Sequence, residues 1–484
     1  YKRQIYDDFD VIYVSGAQAL LNAFNADLLD DGIYNGKYRI DHDINLAELN
    51  SEWTPIGTAE NPFNGEFVMV ADESGNMPKI FNLVITTDRD YNGFFGVTGS
   101  NANIQNLYVE GVRITAGTYV GAIAALNGGS INDCTVRSNT DTDFTGIQVN
   151  VKDSSQYIGG VVGYNSNGAI LQGSSAMLNV RIAGTENNHS INIGGIAGYS
   201  AANANITGCA YDGVMVNGQP SYTIEVNISA INSEVVAGGV VGNLYSRLSN
   251  SSFSGKLTAP SINGVIVGGV VGKYQTSTTT TQSVITACKA TDINLTGYLA
   301  GGIIGKLDST SNNGVTNVIS QCYSTGSIYG GRIGGLAGEI TRGGIVNSYT
   351  TCYLSGSVMG GFAADILFAN TSDFGRVSYC FSNATFDKSA GSAYAETSSE
   401  VRALNNWWNA DTKVGGYVEH CIYNGDNANG AERRYGSFRV LGWAPEPDDG
   451  KTSDGDCKRM ETFTNRGFDS TIWNFTSNSY PTLN

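Results

Sequence analysis

Apolar positions in this chain do not follow a helical period. From residue 92 to about 383 they come in bursts of two to four Val, Ile, Leu or Ala, bounded by Gly, Asn, Ser and Thr. That pattern predicts short strands separated by turns. Stretches such as 194–213 hold too few helix formers for any other element. The bursts also repeat. A Gly-Gly-apolar-apolar-Gly block has its second and last glycines at Gly160 and Gly163, Gly195 and Gly198, Gly239 and Gly242, Gly269 and Gly272, Gly302 and Gly305, and Gly335 and Gly338. Degenerate copies start at Asn92, Gly121 and Gly360, which makes nine, spaced 26 to 44 residues apart.

A second position trails each block. It reads Ile104-x-x-Leu107, Ile131-x-x-Cys134, Ile170-x-x-Gly173, Ile206-x-x-Cys209, Leu248-x-x-Ser251, Ile285-x-x-Cys288, Ile319-x-x-Cys322, Ile345-x-x-Ser348 and Val377-x-x-Cys380, with Val418-x-x-Cys421 as a tenth copy lacking its block. Invariant short motifs joined by insertions of variable length are what stacked strands with elastic loops produce. The expected fold is all-β: a right-handed parallel β-helix of about nine to ten coils, each ~4.8 Å above the last. A propeller would need four strands per repeat and a steadier period. Ser15-Gly16-Ala17-Gln18 has capping-box spacing, and Ala19, Leu20, Leu21, Ala23 and Phe24 continue it as a short amphipathic helix that would cap the first coil. Residues 457–465 suggest another short helix. The organisation expected is 1–50 as N-terminal cap and first strands, 51–383 as repeats, and 384–484 as irregular final coils and C-terminal cap.

Composition narrows the function. Gly contributes 62 of 484 residues and Pro only 8, yet the glycines are not spaced every third residue, so collagen is excluded. No run approaches the roughly 18 apolar residues of a spanning helix. Net charge is −16, with 21 acids and 9 bases in residues 1–159 but 9 of each in 160–380. No cluster of Lys and Arg exists to hold phosphates, which argues against nucleic acid and against an anionic membrane surface. The chain begins Tyr1-Lys2-Arg3, the expected look of a processed or trimmed start, so any signal or anchor segment lies outside it.

Six of the eight cysteines, Cys134, Cys209, Cys288, Cys322, Cys380 and Cys421, share the trailing position, where other copies hold Ser, Gly or Leu. That set describes a small inward site where a thiol acts as a small hydrophobe. A buried ladder of free thiols is therefore expected in preference to disulfides, and one cysteine per coil is a poor zinc motif.

The blocks, closest to type at Gly335-Leu336-Ala337-Gly338, resemble the GLUG-type repeat of bacterial surface proteins common in gut Bacteroidetes. The lead-in Tyr38 to Leu46, Trp53-Thr54-Pro55-Ile56-Gly57 and Pro62-Phe63-Asn64-Gly65 is similar to the opening of such domains, and Phe468-Asp469, Ile472-Trp473 and Tyr480-Pro481 to their ending. The resemblance covers about 12–383 and the last twenty residues; 384–455 has no counterpart. It implies a parallel β-helix on an exported, adhesin-like protein of the cell surface. Similar repeats precede the protease domain of IgA-specific metallopeptidases, but no His-Glu-x-x-His occurs here.

On this reading the protein is a non-enzymatic adhesion module, extracellular or on the outer-membrane surface, binding an unknown glycan or surface protein without cofactor or metal. The ligand-binding candidates are Trp407, Trp408, Trp443, Tyr417 and Tyr435, rigid aromatics in the irregular segment. The alternative is a β-helix polysaccharide-degrading enzyme, a lyase or glycoside hydrolase, which needs carboxylates converging on neighbouring coils. The nine central acids, Glu339 and Asp365 among them, share no evident repeat offset, and Asp133, Asp141, Asp143 and Asp153 read as loop carboxylates. Asp41-His42-Asp43 reads as the outer face of a strand, and Asp448, Asp449, Asp454 and Asp456 as an acidic loop rather than a calcium site.

Overall fold

The chain is described from a computed structural model, which covers residues 11–31, 33–139, 145–213, 215–216, 219–276, 284–309, 317–366, 375–387, 401–402, 417–419, 421–424, 451–452, 458–465, 467–476 and 479–484. It is all-β with long parallel ladders, the arrangement expected of a solenoid. It divides into two compact units, Tyr1–Val235 with Val240–Arg247, and Val236–Gly239 with Leu248–Asn484. Among the described residues no helix is long and apolar enough to cross a membrane.

In the first unit the repeat strands pair in parallel with their counterparts in neighbouring copies, while Met215–Val216 and Gln219–Pro220 form a small antiparallel pair of their own. Val162–Asn165, for example, lies between Ala124–Asn127 and Ala197–Ser200. The Gly block is the corner where the chain leaves one sheet, Gln156–Gly159, for the other, Val162–Asn165. At the corner, N–H groups bond from copy to copy: Ile123 to Val161 O, Val161 to Ile196 O, and Ile196 to Val240 O. Glycine is required there by space. A Cβ on Gly160 would overlap the Gly195 carbonyl oxygen, so any side chain would force two copies apart.

The trailing motif is the second corner, and it turns through a left-handed residue. Asn106, Asp133, Gly173 and Gly208 have φ of 58°, 54°, 61° and 65° in the first unit. Asn250, Ala287, Gln321, Asn347 and Tyr379 repeat it at 50°, 52°, 54°, 48° and 50° in the second. This register corrects one assignment. The copy read as Ile170-x-x-Gly173 is Leu171-x-x-Ser174, because Leu171 pairs with Ile131 and Ile206. Leu171 is wholly buried while Ile170 is 40% exposed; with two apolar residues side by side, only burial distinguishes them.

The corrected register explains the cysteines. Cys134, Cys209, Cys288, Cys322, Cys352, Cys380 and Cys421 are buried and form no disulfide. Cys134, Cys288, Cys322 and Cys380 each aim Sγ at the carbonyl two residues back, at 3.3 Å. Ser174, Ser251 and Ser348 do the same through Oγ at 3.0, 2.9 and 2.9 Å. Thiol and hydroxyl interchange because both are small donors that satisfy a carbonyl at the corner. Small size alone does not account for the site. Burial pushes the Cys134 thiol up to about 12. The tenth copy is also present, Val377 pairing with Val418.

A polar ladder runs through the first unit's interior. Thr98 Oγ1 donates to Asn127 Oδ1 (3.0 Å), Asn127 Nδ2 to Asn165 Oδ1 (2.8 Å) and Asn165 Nδ2 to Ser200 Oγ (3.4 Å); the Ser200 and Ser246 hydroxyls lie 2.7 Å apart. Burying these groups is tolerable because stacking puts a partner above and below each. The helix Ala17–Asp31 is longer than the sequence suggested. Its Phe24 packs on Tyr38, Phe63, Phe67 and Phe95. In the second unit, Phe463 in the short helix Met460–Thr464, with Phe468 and Trp473, buries Tyr349, Phe381 and Ile422.

Candidate functional site

Two register positions flank the Gly corner, one just before it and one just after. The tyrosines, lysines and Arg332 at these positions are half-buried, and the chemistry there differs between the units. In the first unit the position before the corner carries Tyr91, Tyr119 and Tyr157 on three successive strands. The position after it carries Tyr164 and Tyr199 in register; in the next copy that position is Asn243, and Tyr245, two residues further on, brings its ring onto Tyr199. Ring centroids are 4.8 and 4.9 Å apart down the first column and 4.7 and 5.3 Å down the second. The columns meet edge to face, Tyr157 lying 5.1 Å from Tyr164 and 5.5 Å from Tyr199. Because rings within a column cover one another's faces, each column offers edges and hydroxyls outward. Burial, with the neighbouring phenols, pushes Tyr119 up to about 12, and burial also raises Tyr157, Tyr164 and Tyr199. These phenols are therefore neutral donors and acceptors at physiological pH.

In the second unit the position after the corner carries Lys273, Lys306, Glu339 and Asp365 in one register row. Arg332 occupies the position before it. Lys306 Nζ lies 2.8 Å from Glu339 Oε1, and Arg332 Nε donates to Asp365 Oδ2 at 2.7 Å. Alongside, Arg342 Nε donates to Asp308 Oδ1 at 2.7 Å. Asp365 is 1% exposed and its Oδ1 has no hydrogen-bond partner. Burial pushes its carboxyl up, Arg332 pulls it back, and Glu339 adds to the rise. This row corrects the expectation that the acids share no repeat offset: Glu339 and Asp365 each directly follow a block. The signal was present in the sequence, as was the recurrence of tyrosine at the same place, but it is visible only when residues are counted from the end of the block.

Among the described residues the other sequence candidates are not gathered into a site. Trp407, Trp408, Tyr435 and Trp443 lie outside the described residues, as do Asp141, Asp143, Asp448, Asp449, Asp454 and Asp456. Tyr417 is placed as a strand residue opposite Arg376. Asp41-His42-Asp43 forms a bend between strands rather than a strand face, with His42 Nδ1 2.5 Å from Asp41 Oδ1 and Asp43 accepting from the Lys79 N–H. Asp133 is a left-handed corner residue, and Asp153 lies 3.2 Å from His189 Nε2. Among the described residues no three His, Cys, Asp or Glu side chains group as metal ligands. Compared with known proteins, the chain matches no family model and no curated protein sequence.

Proposed function

We propose that the chain is a non-enzymatic, exported surface protein: an adhesin-like module whose fold is a right-handed parallel β-helix of nine to ten coils. Its ligand is a glycan or a protein of another surface. The observation that carries this reading is the double column of six tyrosines. A row of half-buried rings held by strand register is an ordered surface before any ligand arrives, so binding costs little side-chain entropy. Phenol edges and hydroxyls suit sugar hydroxyls and polar protein surfaces alike. The GLUG-type blocks supply the exported, surface-borne context. The irregular 384–455 segment, with Trp407, Trp408, Tyr417, Tyr435 and Trp443, is the second proposed contact region. A glycan array and a surface-protein binding screen test the reading. Once a ligand is found, Tyr157→Ala, Tyr199→Ala and the three single Trp→Ala variants are compared for affinity and melting temperature. Lost affinity at unchanged stability in a Tyr or Trp variant supports recognition; no binding to either library overturns it.

One observation favours a polysaccharide-degrading enzyme. Glu339 and Asp365 stand in register on adjacent strands beside Lys306 and Arg332, and a buried carboxyl with raised proton affinity is the environment of a general acid. Its ion pairs argue the other way, since each carboxylate already has a cation. A polysaccharide-cleavage screen decides: turnover abolished by Asp365→Asn and Glu339→Gln would establish catalysis.

A further inference from the structure

The first unit holds a concavity of about 640 Å³ away from the tyrosine columns, between residues 46–53 and the strands Ile80–Ile85 and Tyr108–Ile114. Its walls are pinned. Glu52 Oε2 accepts from the Thr86 N–H (2.7 Å), the Thr86 hydroxyl (2.8 Å) and the Thr87 N–H (3.1 Å), while Oε1 accepts from Arg89 Nη1 (3.2 Å). Trp53 is fixed by Nε1 to Phe94 O at 2.8 Å and stacks on Phe94. Asn82 Nδ2 donates to Asn45 Oδ1 at 2.8 Å. Arg113 lines this concavity and differs from the paired arginines. Its Nε is buried without a hydrogen-bond partner, and among the described residues no carboxylate lies within ion-pair distance of its guanidinium. On the two neighbouring strands it stands beside Val84 and Gly146, neither of which can pair with its side chain.

A half-buried guanidinium left unpaired costs free energy unless something fills the role of the missing acceptor. We propose that this concavity binds a carboxylate-bearing sugar residue, a uronate, with Arg113 gripping the carboxylate. A planar fork donates two parallel hydrogen bonds to a planar carboxylate. A phosphate dianion would call for a second cation or a helix N-terminus, and Glu52 is already consumed by Arg89 and the 86–87 backbone. The Asn50 amide and the Ser51 hydroxyl line the same hollow as partners for ring hydroxyls, beside Val84. The pinned walls mean the site is formed before the ligand arrives.

The test uses the whole chain and methyl β-D-glucuronide, with methyl β-D-glucoside as its uncharged counterpart and inorganic phosphate as a competing anion, read by titration calorimetry and ligand-observed NMR. The glucuronide binds; the glucoside and phosphate bind about tenfold or more weakly. Arg113→Gln loses the glucuronide preference at an unchanged or raised melting temperature, because Arg113 makes no bond to lose and its unpaired group costs free energy, and Arg113→Lys retains part of the preference. Ser51→Phe, which fills the hollow from its exposed rim, abolishes binding even if Arg113→Gln does not fold. Equal affinity for glucuronide and glucoside, tighter binding of phosphate, absence of glucuronide binding, or full affinity in either Arg113→Gln or Ser51→Phe overturns the proposal. Array ligands that Arg113→Gln still binds would leave the adhesin reading standing while this site falls.

Discussion

Asn127→Ala tests whether the interior polar ladder holds the first unit together. Asn127 is wholly buried and has five hydrogen-bonding partners, two of the three on Nδ2 sharing one hydrogen. Nδ2 donates to Asn165 Oδ1, Ile170 O and Gly129 O at 2.8, 3.2 and 3.4 Å, and Oδ1 accepts from Thr98 Oγ1 and the Gly129 N–H at 3.0 and 3.1 Å. Alanine leaves at least the Gly129 N–H and Asn165 Oδ1 buried without those partners, at about 1–3 kcal/mol each. Adding the lost Thr98 contact and subtracting what a water in the void recovers gives about 3–5 kcal/mol. In a repeat architecture the loss is local. Hydrogen exchange at Gly128, Gly129 and the neighbouring strands Ala124–Asn127 and Val162–Asn165 should accelerate by roughly a hundred- to several-thousandfold, with a lowered melting temperature. Asn167→Ala, at an exposed turn where Asn167 accepts from Asn203, is the control and should stay within about 0.5 kcal/mol. Because Asn127 and Asn165 share a bond, the double variant should cost less than the sum of the two singles. Exchange in Asn127→Ala equal to the control, or strict additivity with Asn165→Ala, would refute the ladder as a stabilising element.

The remaining predictions concern corners, thiols and one carboxylate. Gly239→Val and Gly302→Val should each lower the melting temperature far more than a surface change, because a Cβ there overlaps Gly269 O and the Phe253 ring, or Gly335 O and Ser324; an unchanged melt in both would contradict the close approach. Cys134, Cys209, Cys288, Cys322 and Cys380 should resist iodoacetamide in the native state and react after denaturation, and Cys288→Ser should melt closer to wild type than Cys288→Val, as expected of a donor to the Thr286 carbonyl. Ala287 occupies a left-handed corner at φ 52°, so Ala287→Gly should be neutral or stabilising, up to about 1 kcal/mol, in thermal melts, whereas the same change at an ordinary strand alanine should destabilise. Burial works to raise Glu52, but hydrogen bonds from Thr87 and Thr86 overcome it and hold the carboxyl down to about 2. Its contribution is therefore complete above the ordinary carboxyl range and lost as pH falls toward 2, and Glu52→Gln should flatten that part of the acid-unfolding curve.

The repeat, the strand character and the burial of the cysteines were legible from residue order alone, because a stacked architecture imposes the same small-residue and apolar requirements on every copy. Gly-Gly-apolar-apolar-Gly can be read without coordinates for the reason it exists: backbone passes too close for a side chain. Other features needed the third dimension. Whether Ile170 or Leu171 points inward depends on a turn one residue longer, and strand periodicity flips a face for each residue of slip. Ala287, Gln321 and Tyr379 give no local sign of a left-handed corner, since neighbouring copies impose it. The tyrosine columns and the Lys306–Glu339–Asp365 row join residues 26 to 46 positions apart, brought to stacking or ion-pair distance only by ladder register. Arg113 is the extreme case. In the chain it is one arginine in a strand, and only packing strips it of partners and places it in a hollow, because a side chain's electrostatic surroundings are set by what folds around it rather than by its neighbours in sequence.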